Sequence, residues 1–284
     1  MRDKISTLYF PASLPRYRHA ARWRQLTGYG EVMLLDMPGK LKVARYTFPA
    51  AVPAAAGKRM LFFSDLHCGP RTAALADELE SKIKDLSPNL LLCGGDLVAG
   101  AVDLDLLPPL LKRFSEHVET CITVPGNWER GKSWLTQEFW HDFFARSNWR
   151  YLCNEGMCVG DWGWIYGCDE MSQGAPGIMA EAPAGREKVA LIHRPDTVVF
   201  LDWRNELDGY DLALCGHSHG GQVRLPLVGP LTASSFYRGK FDCGLFARED
   251  SELRMLVSTG VNHASFPWRV NCRREIVLVE FEPR

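Results

Sequence analysis

The chain has 284 residues, 46% of them hydrophobic and 24% charged, which suits one large domain or two small ones and excludes a disordered chain. Lys and Arg number 33 against 34 Asp and Glu, so the formal charge of −1 gives no global field for nucleic acid, and no nucleic-acid partner is expected. No run approaches the roughly 18 uninterrupted apolar residues of a spanning helix, and no apolar signal stretch marks the N-terminus. A cytoplasmic protein is expected.

The first 50 residues are basic, with nine Lys/Arg against three Asp/Glu. There Arg16, Arg18, Arg22 and Arg24 interleave with Tyr17, His19 and Trp23. Such a mixture suits an anionic surface, either lipid headgroups or a phosphorylated substrate. It suits equally a solvated helix face packed on the domain. Residues 1–57 read as a basic extension packed on or preceding the core, and 58–284 as the main domain. Arg59–Ser64 then reads as a buried strand, followed by a helix over Ala73–Leu86 with Leu75, Leu79, Ile83 and Leu86 on one face. Asn89–Cys93 is a strand, Leu104–Phe114 a helix broken or started near Pro108 and Pro109, and Thr120–Val124 a strand. Ser133–Arg146 predicts a helix whose aromatic face (Trp134, Phe139, Trp140, Phe143, Phe144) belongs to the core.

The second half is strand-rich, with candidates at Trp162–Tyr166, Lys188–Ile192, Asp211–Leu214, Leu253–Val257 and Glu275–Phe281. Met171–Arg186 is rich in Gly, Ala and Pro without periodicity and reads as a loop or lid. Nine cysteines, an odd number, include Cys68, Cys93, Cys121 and Cys215 in or beside apolar runs, as expected of free thiols in a reducing compartment. The simplest architecture is one α/β domain with two sheets flanked by helices.

Five short motifs stand where strands should end. They are Asp65-Leu66-His67, Gly94-Gly95-Asp96, Gly126-Asn127-Trp128-Glu129, Ile192-His193, and Gly216-His217-Ser218-His219-Gly220. Functional side chains of α/β sheets gather outside the carboxyl ends of strands. A D-x-H or H-x-H spacing puts both side chains on one side of an extended segment. Carboxylate, imidazole and amide oxygen together form a ligand set for Mn, Fe or Zn. His19, His117, His141 and His263 lie outside the series and read as structural or surface residues.

The ordered series resembles the calcineurin-like metallophosphoesterases, whose pattern is D-x-H, G-D-x, G-N-H-[DE], a lone His and G-H-x-H. The match runs from about Ser64 to Gly221. Ser258-Thr259-Gly260, Pro267-Trp268-Arg269 and the Glu275-led strand extend the likeness to a bacterial single-domain branch that includes UDP-2,3-diacylglucosamine hydrolases. The resemblance implies a four-layer αββα sandwich of two mixed sheets, making 58–284 a metallophosphoesterase domain. It implies two divalent transition-metal ions, manganese first, with iron, zinc or a mixed pair as alternatives. Asp65, His67 and His219 would hold one ion, Asn127, His193 and His217 the other, and Asp96 would bridge them. Two such ions, about 3.5–4 Å apart, activate a bridging water and stabilise in-line attack on phosphorus. The residues thus expected at the chemistry are Asp96, Asn127, His193 and His217.

One departure is informative. Trp128 stands where most of the family has a His able to protonate a leaving group, and an indole cannot do so. The diacylglucosamine hydrolases also lack His there, having Arg. A pyrophosphate, whose leaving phosphate is a weak base, needs less help than an alkyl phosphate. The leading expectation is therefore a nucleotide-linked lipid such as UDP-2,3-diacylglucosamine, cleaved to UMP and the lipid monophosphate. Its partners would be that lipid substrate and an anionic membrane surface on which the protein sits peripherally. Alternatives are a phosphodiesterase or phosphatase acting on a soluble nucleotide or phosphoprotein, and a non-catalytic metal-stabilised scaffold. Trp128, Arg130, Arg194 and Arg269 are expected around the substrate, and Glu129 is expected to orient a ligand by hydrogen bonding.

Overall fold

The computed structural model describes residues 17–27, 40–100, 103–226, 228–232, 234–237, 239–264 and 268–284. In chain order the first elements are α1 (Tyr17–Ala20), β1 (Trp23–Thr27), β2 (Lys42–Pro49), β3 (Arg59–Phe63), α2 (Ala73–Leu86) and β4 (Leu90–Cys93). Next come α3 (Asp103–Ser115), β5 (Thr120–Thr123), α4 (Asn127–Arg130), α5 (Gln137–Ala145), β6 (Arg150–Tyr151), β7 (Glu155–Val159) and β8 (Gly163–Gly167). The remainder are β9 (Glu187–Leu191), α6 (Pro195–Trp203), β10 (Leu212–Cys215), β11 (Arg224–Leu225), β12 (Gly229–Pro230), β13 (Gly244–Arg248), β14 (Arg254–Val257) and β15 (Glu275–Glu282).

Two mixed sheets result, one in the order β2-β15-β3-β4-β5-β6 and one in the order β1-β13-β14-β10-β9-β8-β7. The central strands β3, β4, β9 and β10 are near-continuous apolar runs because both faces of each sheet are covered. Met60, Phe62, Leu90, Leu92 and Ile122 of one sheet meet Ile165, Val189, Leu191, Leu212 and Leu214 of the other between the layers. The alternate residues Leu61, Phe63, Leu91 and Cys93 face outward onto Leu75, Leu79 and Ile83 of α2 and Leu111 of α3. Ala190, Ile192, Ala213 and Cys215 face Val198, Val199 and Leu201 of α6. The four-layer αββα sandwich is therefore the period-two alternation of two buried sheets made visible.

Several local readings are corrected. The helix expected from Ser133 begins only at Gln137, because the Thr136 hydroxyl accepts from Phe139 N at 3.1 Å and caps it. Trp134 therefore precedes the helix and is exposed, while Trp140, Phe143 and Phe144 are core. The helix read as broken or started near Pro108 runs unbroken from Asp103 through both prolines. The described parts of residues 1–57 include edge strands of both sheets: β2 pairs with β15, and β1 with β13. Arg16 lies outside the described residues and Arg24 is exposed, whereas His19 and Trp23 turn inward. His19 Nε2 and Trp23 Nε1 lie 2.9 and 3.1 Å from the buried Asp202 carboxylate, and Arg22 pairs with Asp250. All nine cysteines are unbridged. No helix among the described residues is long and apolar enough to cross a membrane.

One buried carboxyl makes stability pH-dependent. Burial pushes Glu187 up to about 7, against the opposing N–H of Ala51 (2.7 Å from the carboxylate) and with help from Asp211. The folded state thus keeps this proton at pH values where the unfolded chain, near the ordinary 4.5, has lost it. The stabilisation is complete below the unfolded value and is lost as pH rises through about 7. Thermal unfolding at pH 5 and pH 8 should show the wild type losing more stability than Glu187→Gln, whose side chain stays neutral. Parallel losses in the two proteins would refute the assignment.

Candidate metal centre

The register of the strands brings the five motifs to one edge. Phe63, Cys93 and Thr123 are in register across the parallel strands β3, β4 and β5, so the segments that follow leave the sheet together. Pairing continues into the loops, with His67 N donating to Asp96 O at 3.0 Å. In the other sheet β9 and β10 run parallel, and Gly216 N donates to His193 O at 3.0 Å just beyond them. The two sheets are tied together here by His193 Nδ1, 2.7 Å from Gly94 O.

Asp65, His67 and His219 present ligand atoms all within 4.8 Å of one another, and so do Asp96, His193 and His217. All six are buried except His217, which is partly exposed. In the first group His67 Nε2 lies 3.2 Å from His219 Nε2, and Asp65 Oδ1 lies 3.4 Å from the same nitrogen. In the second, His193 Nε2 is 3.1 Å from Asn127 Oδ1, 3.2 Å from His217 Nδ1 and 3.4 Å from Asp96 Oδ2. Asp96 Oδ2 is also 3.9 Å from His67 Nε2, so this one oxygen stands between the groups. The seven residues expected as ligands are all brought together.

The imidazole tautomers fit cation binding. A carbonyl oxygen only accepts, so His193 Nδ1 and His217 Nε2 carry the protons they give to Gly94 O and Ser234 O (3.1 Å), while His219 Nδ1 lies 3.2 Å from Asn262 O and 3.3 Å from the Arg269 guanidinium, which only donates. With their other nitrogen deprotonated, the rings of His193 and His217 turn a lone pair toward the centre, the usual outer support of a metal-bound histidine. Asp65 Oδ2 takes the Ser64 hydroxyl at 2.6 Å and His217 N at 3.0 Å, whereas buried Asp65 Oδ1 has no hydrogen-bond partner. Converging lone pairs with an unsatisfied carboxylate oxygen are costly in a buried site and are resolved by cations. The donor set of carboxylate, imidazole and one amide suits divalent transition metals.

The backbone is bent to this purpose. Asp65, His67, Asp96, His217 and His219 all have positive φ, from 43° to 66°, where non-glycine residues cost about 1–3 kcal/mol each. A Cβ at Gly126 would collide with Asp96 N and Oδ1, so glycine is required for that close approach.

Charge follows the same layout. Burial opposes ionisation of Asp96, but the adjoining His193 and His67 and the N–H of Trp128 (2.9 Å) hold its carboxyl well below the ordinary range. Burial likewise opposes protonation of His193, yet Asp96, Asp65 and Glu170 raise it to about 9, so a cation that takes this ring as a ligand must displace its Nε2 proton. Burial lowers His219 to about 4, against the opposing Asp65 carboxylate and with help from His67 and Arg269.

Glu129 gathers the backbone around Asp96. Its buried carboxylate accepts from Asp96 N (3.0 Å), Leu97 N (2.8 Å), Val98 N (3.0 Å) and Gly126 N (2.8 Å). Trp128 lies at the mouth, 38% exposed, with its ring edge-on to His67 at 5.7 Å. Lys132 Nζ lies 6.0 Å from the centroid of that indole and donates to Trp128 O at 3.0 Å. The three arginines expected around a substrate are bound within the protein. Arg130 pairs with Asp169 at 3.0 Å, Arg194 pairs with Glu170, and Arg269 donates to Thr259 O (2.7 Å), Arg273 O (3.2 Å) and Asn262 O. Arg269 thereby braces the carbonyl that holds His219.

Two supporting residues escaped the sequence reading. Asn262 supplies the carbonyl for His219, and its amide donates to Leu66 O at 2.8 Å. Asp196 accepts from Ser235 Oγ (2.8 Å) and Phe236 N (3.1 Å), fixing the loop whose Ser234 carbonyl holds His217. An acid three residues beyond a ligand His at a helix start was the available signal for Asp196. Backbone acceptors leave none.

A model of the calcineurin-like phosphoesterase family matches residues 58–221. The chain is 26% identical over 261 residues to Phosphodiesterase YaeI of Escherichia coli, spanning 89% of this chain and 93% of that protein. It is 23% identical over 258 residues to an uncharacterized metallophosphoesterase of Aquifex aeolicus, spanning 84% and 91%. Among solved structures, the Pseudomonas putida nuclease MPE aligns with 74% of this chain and 78% of its own, at 16% identity and a TM-score of 0.37.

Proposed function

The chain belongs to the calcineurin-like phosphoesterase family and is a phosphoester hydrolase, and from that premise we propose that it cleaves a phosphoanhydride or phosphodiester in a nucleotide-linked lipid. The reading is most concrete for UDP-2,3-diacylglucosamine, cleaved to UMP and the lipid monophosphate. Asp65, His67 and His219 would hold one divalent ion, Asn127, His193 and His217 a second, and Asp96 would join them, with manganese the first choice of metal. When bound, the ions supply positive charge for the phosphoryl oxygens and make a water molecule acidic enough to attack at neutral pH.

The observation that carries the substrate class is Trp128. Its backbone N–H donates to Asp96 Oδ1 at 2.9 Å, and its indole flanks His67 where a proton donor would serve a leaving group. The indole offers an apolar face for a base or an acyl chain but no titratable proton. Asp96 stays anionic, and the carbonyls of Gly94 and Ser234 leave His193 Nε2 and His217 Nδ1 facing the centre. A leaving phosphate departs without protonation, whereas an alkoxide does not. Nucleotide sugars, lipid-linked nucleotides and cyclic nucleotides, screened for phosphate and UMP release with Mn²⁺, separate this reading from a soluble-nucleotide phosphodiesterase.

The same residue yields a rate prediction. On aryl and alkyl diesters of graded leaving-group pKa, the wild type should slow steeply as the leaving group becomes more basic. Trp128→His should speed the poorest leaving groups by up to ~10²–10⁴-fold, the range of general acid catalysis. A flat wild-type profile with chemistry rate-limiting would mean that another acid is present.

A further inference from the structure

Beside the metal centre lies a surface with a second purpose. The loop that carries His217 and His219 runs directly into a hairpin of β11 and β12, with Arg224 opposite Pro230 and Leu225 opposite Gly229. A third segment is laid against it, Val223 bridging to Val270, Arg224 N donating to Val270 O at 3.0 Å and Val270 N to Gln222 O at 2.8 Å. Thr232 Oγ1 donates to Gly221 O at 3.0 Å, and Ala264 N to Gln222 Oε1 at 2.7 Å. The unit is thus fastened to the metal-ligand loop at several points.

Its outer face is apolar. Leu225, Val228, Leu231, Trp268 and Val270 range from 39% to 70% exposed and together account for nearly half of the large hydrophobic side chains exposed among the described residues. Scattered singly they would need no explanation, but a clustered patch beside a catalytic centre marks a contact surface. The segments that build it carry no acid: 222–232 and 268–274 contain no Asp or Glu, and they contain Arg224, Arg269, Arg273 and Arg274. Asp242 sits buried and paired with Arg224.

We propose that this hairpin face, Leu225, Val228 and Leu231 with Trp268 and Val270, is a membrane-docking surface for an anionic lipid bilayer. Apolar side chains enter the headgroup boundary, Trp268 occupies the interfacial layer that tryptophan favours, and Arg274, just beyond the Trp268–Val270 segment, meets the anionic headgroups. A protein partner of ordinary composition would offer no reason for an acid-free rim. Docking here places the metal centre at the lipid surface, where a substrate headgroup would stand. The inference deepens, and in that respect rests on, the lipid-linked reading above. It also assigns membrane contact to a surface other than the basic N-terminal stretch, whose His19, Arg22 and Trp23 are engaged within the protein.

The test uses the full chain loaded with Mn²⁺ and vesicles free of any nucleotide-linked lipid. Wild type should co-sediment with phosphatidylcholine vesicles containing phosphatidylglycerol and not with phosphatidylcholine alone. The pair Val228→Ser and Trp268→Ser should weaken that binding by about tenfold or more, from the lost burial of two large apolar groups. Hydrolysis of a soluble diester should be unchanged. Binding to neither vesicle, equal binding to both, or undiminished binding of the double variant would overturn the assignment. So would a change from dimer to monomer in the variant, which would make the patch a protein interface. Because no substrate is present, failure here leaves the UMP-release result standing, and failure of UMP release leaves this one standing.

Discussion

Asp96→Ala is expected to lose diesterase activity by well over the ~10–100-fold that removal of an outer supporting residue costs. It should also lose more than one of its bound divalent ions. The reason is the position of a single atom. Asp96 Oδ2 is 3.4 Å from His193 Nε2 and 3.9 Å from His67 Nε2, one from each candidate ligand group. Its other oxygen is fixed by Trp128 N at 2.9 Å. Removing the carboxylate leaves each group short of a ligand, and it leaves several buried imidazoles without the anion that lies between them. Asp96→Asn separates charge from shape: it can keep the contact with Trp128 N but not the charge, and should fall between wild type and Ala in metal content. Metal analysis after desalting, with circular dichroism as a check on folding, decides the matter. Two ions retained by Asp96→Ala would show that Asp96 bridges nothing.

Glu129→Gln should lower both stability and metal affinity, although Glu129 touches no ligand atom of the centre. Four backbone N–H groups converge on its carboxylate, and an amide offers one oxygen where the carboxylate offers two. The Gln NH₂ would face N–H groups, leaving buried donors unsatisfied at about 1–3 kcal/mol each. Two of the four donors belong to Asp96 and Gly126, so the bridging residue itself would shift. Burial and the charge on Asp96 push the Glu129 carboxyl up, while the converging N–H groups favour its ionised form. Manganese affinity should weaken by ~10–100-fold, the usual effect of an outer-shell change, and the unfolding temperature should fall. Unaltered manganese affinity in a folded Glu129→Gln protein would reduce the residue to a structural clasp.

Most of the candidate ligands were legible in the sequence because they follow short apolar runs, whereas Asn127 follows the mixed strand Thr120–Thr123. Leu61–Phe63, Leu90–Cys93, Val189–Leu191 and Leu212–Cys215 are buried on both faces, so their ends are sharp and their polar successors conspicuous. Edge strands were not legible. β1 shows one buried residue in five, and β2 pairs with β15 at the far end of the chain, a partnership without local signature. The partners of the arginines were not legible for a related reason. Arg130 and Arg194 stand beside ligand residues in sequence, but their guanidinium groups turn to Asp169 and Glu170, acids just ahead of the stretch that read as a lid. Chain adjacency fixes where a Cα lies and says nothing of which carboxylate a long side chain finds. The carbonyls of Gly94 and Ser234, which set the tautomers of His193 and His217, are backbone atoms available in any sequence.

The central claim is that two ions held by these seven residues make the chain a phosphoester hydrolase. Metal-stripped protein titrated with Mn²⁺, with bis(p-nitrophenyl) phosphate hydrolysis and bound metal followed together, tests it most directly. Activity should be absent in the stripped protein and should rise until two ions per chain are bound. Full activity at one ion per chain, or in the stripped protein, would contradict it.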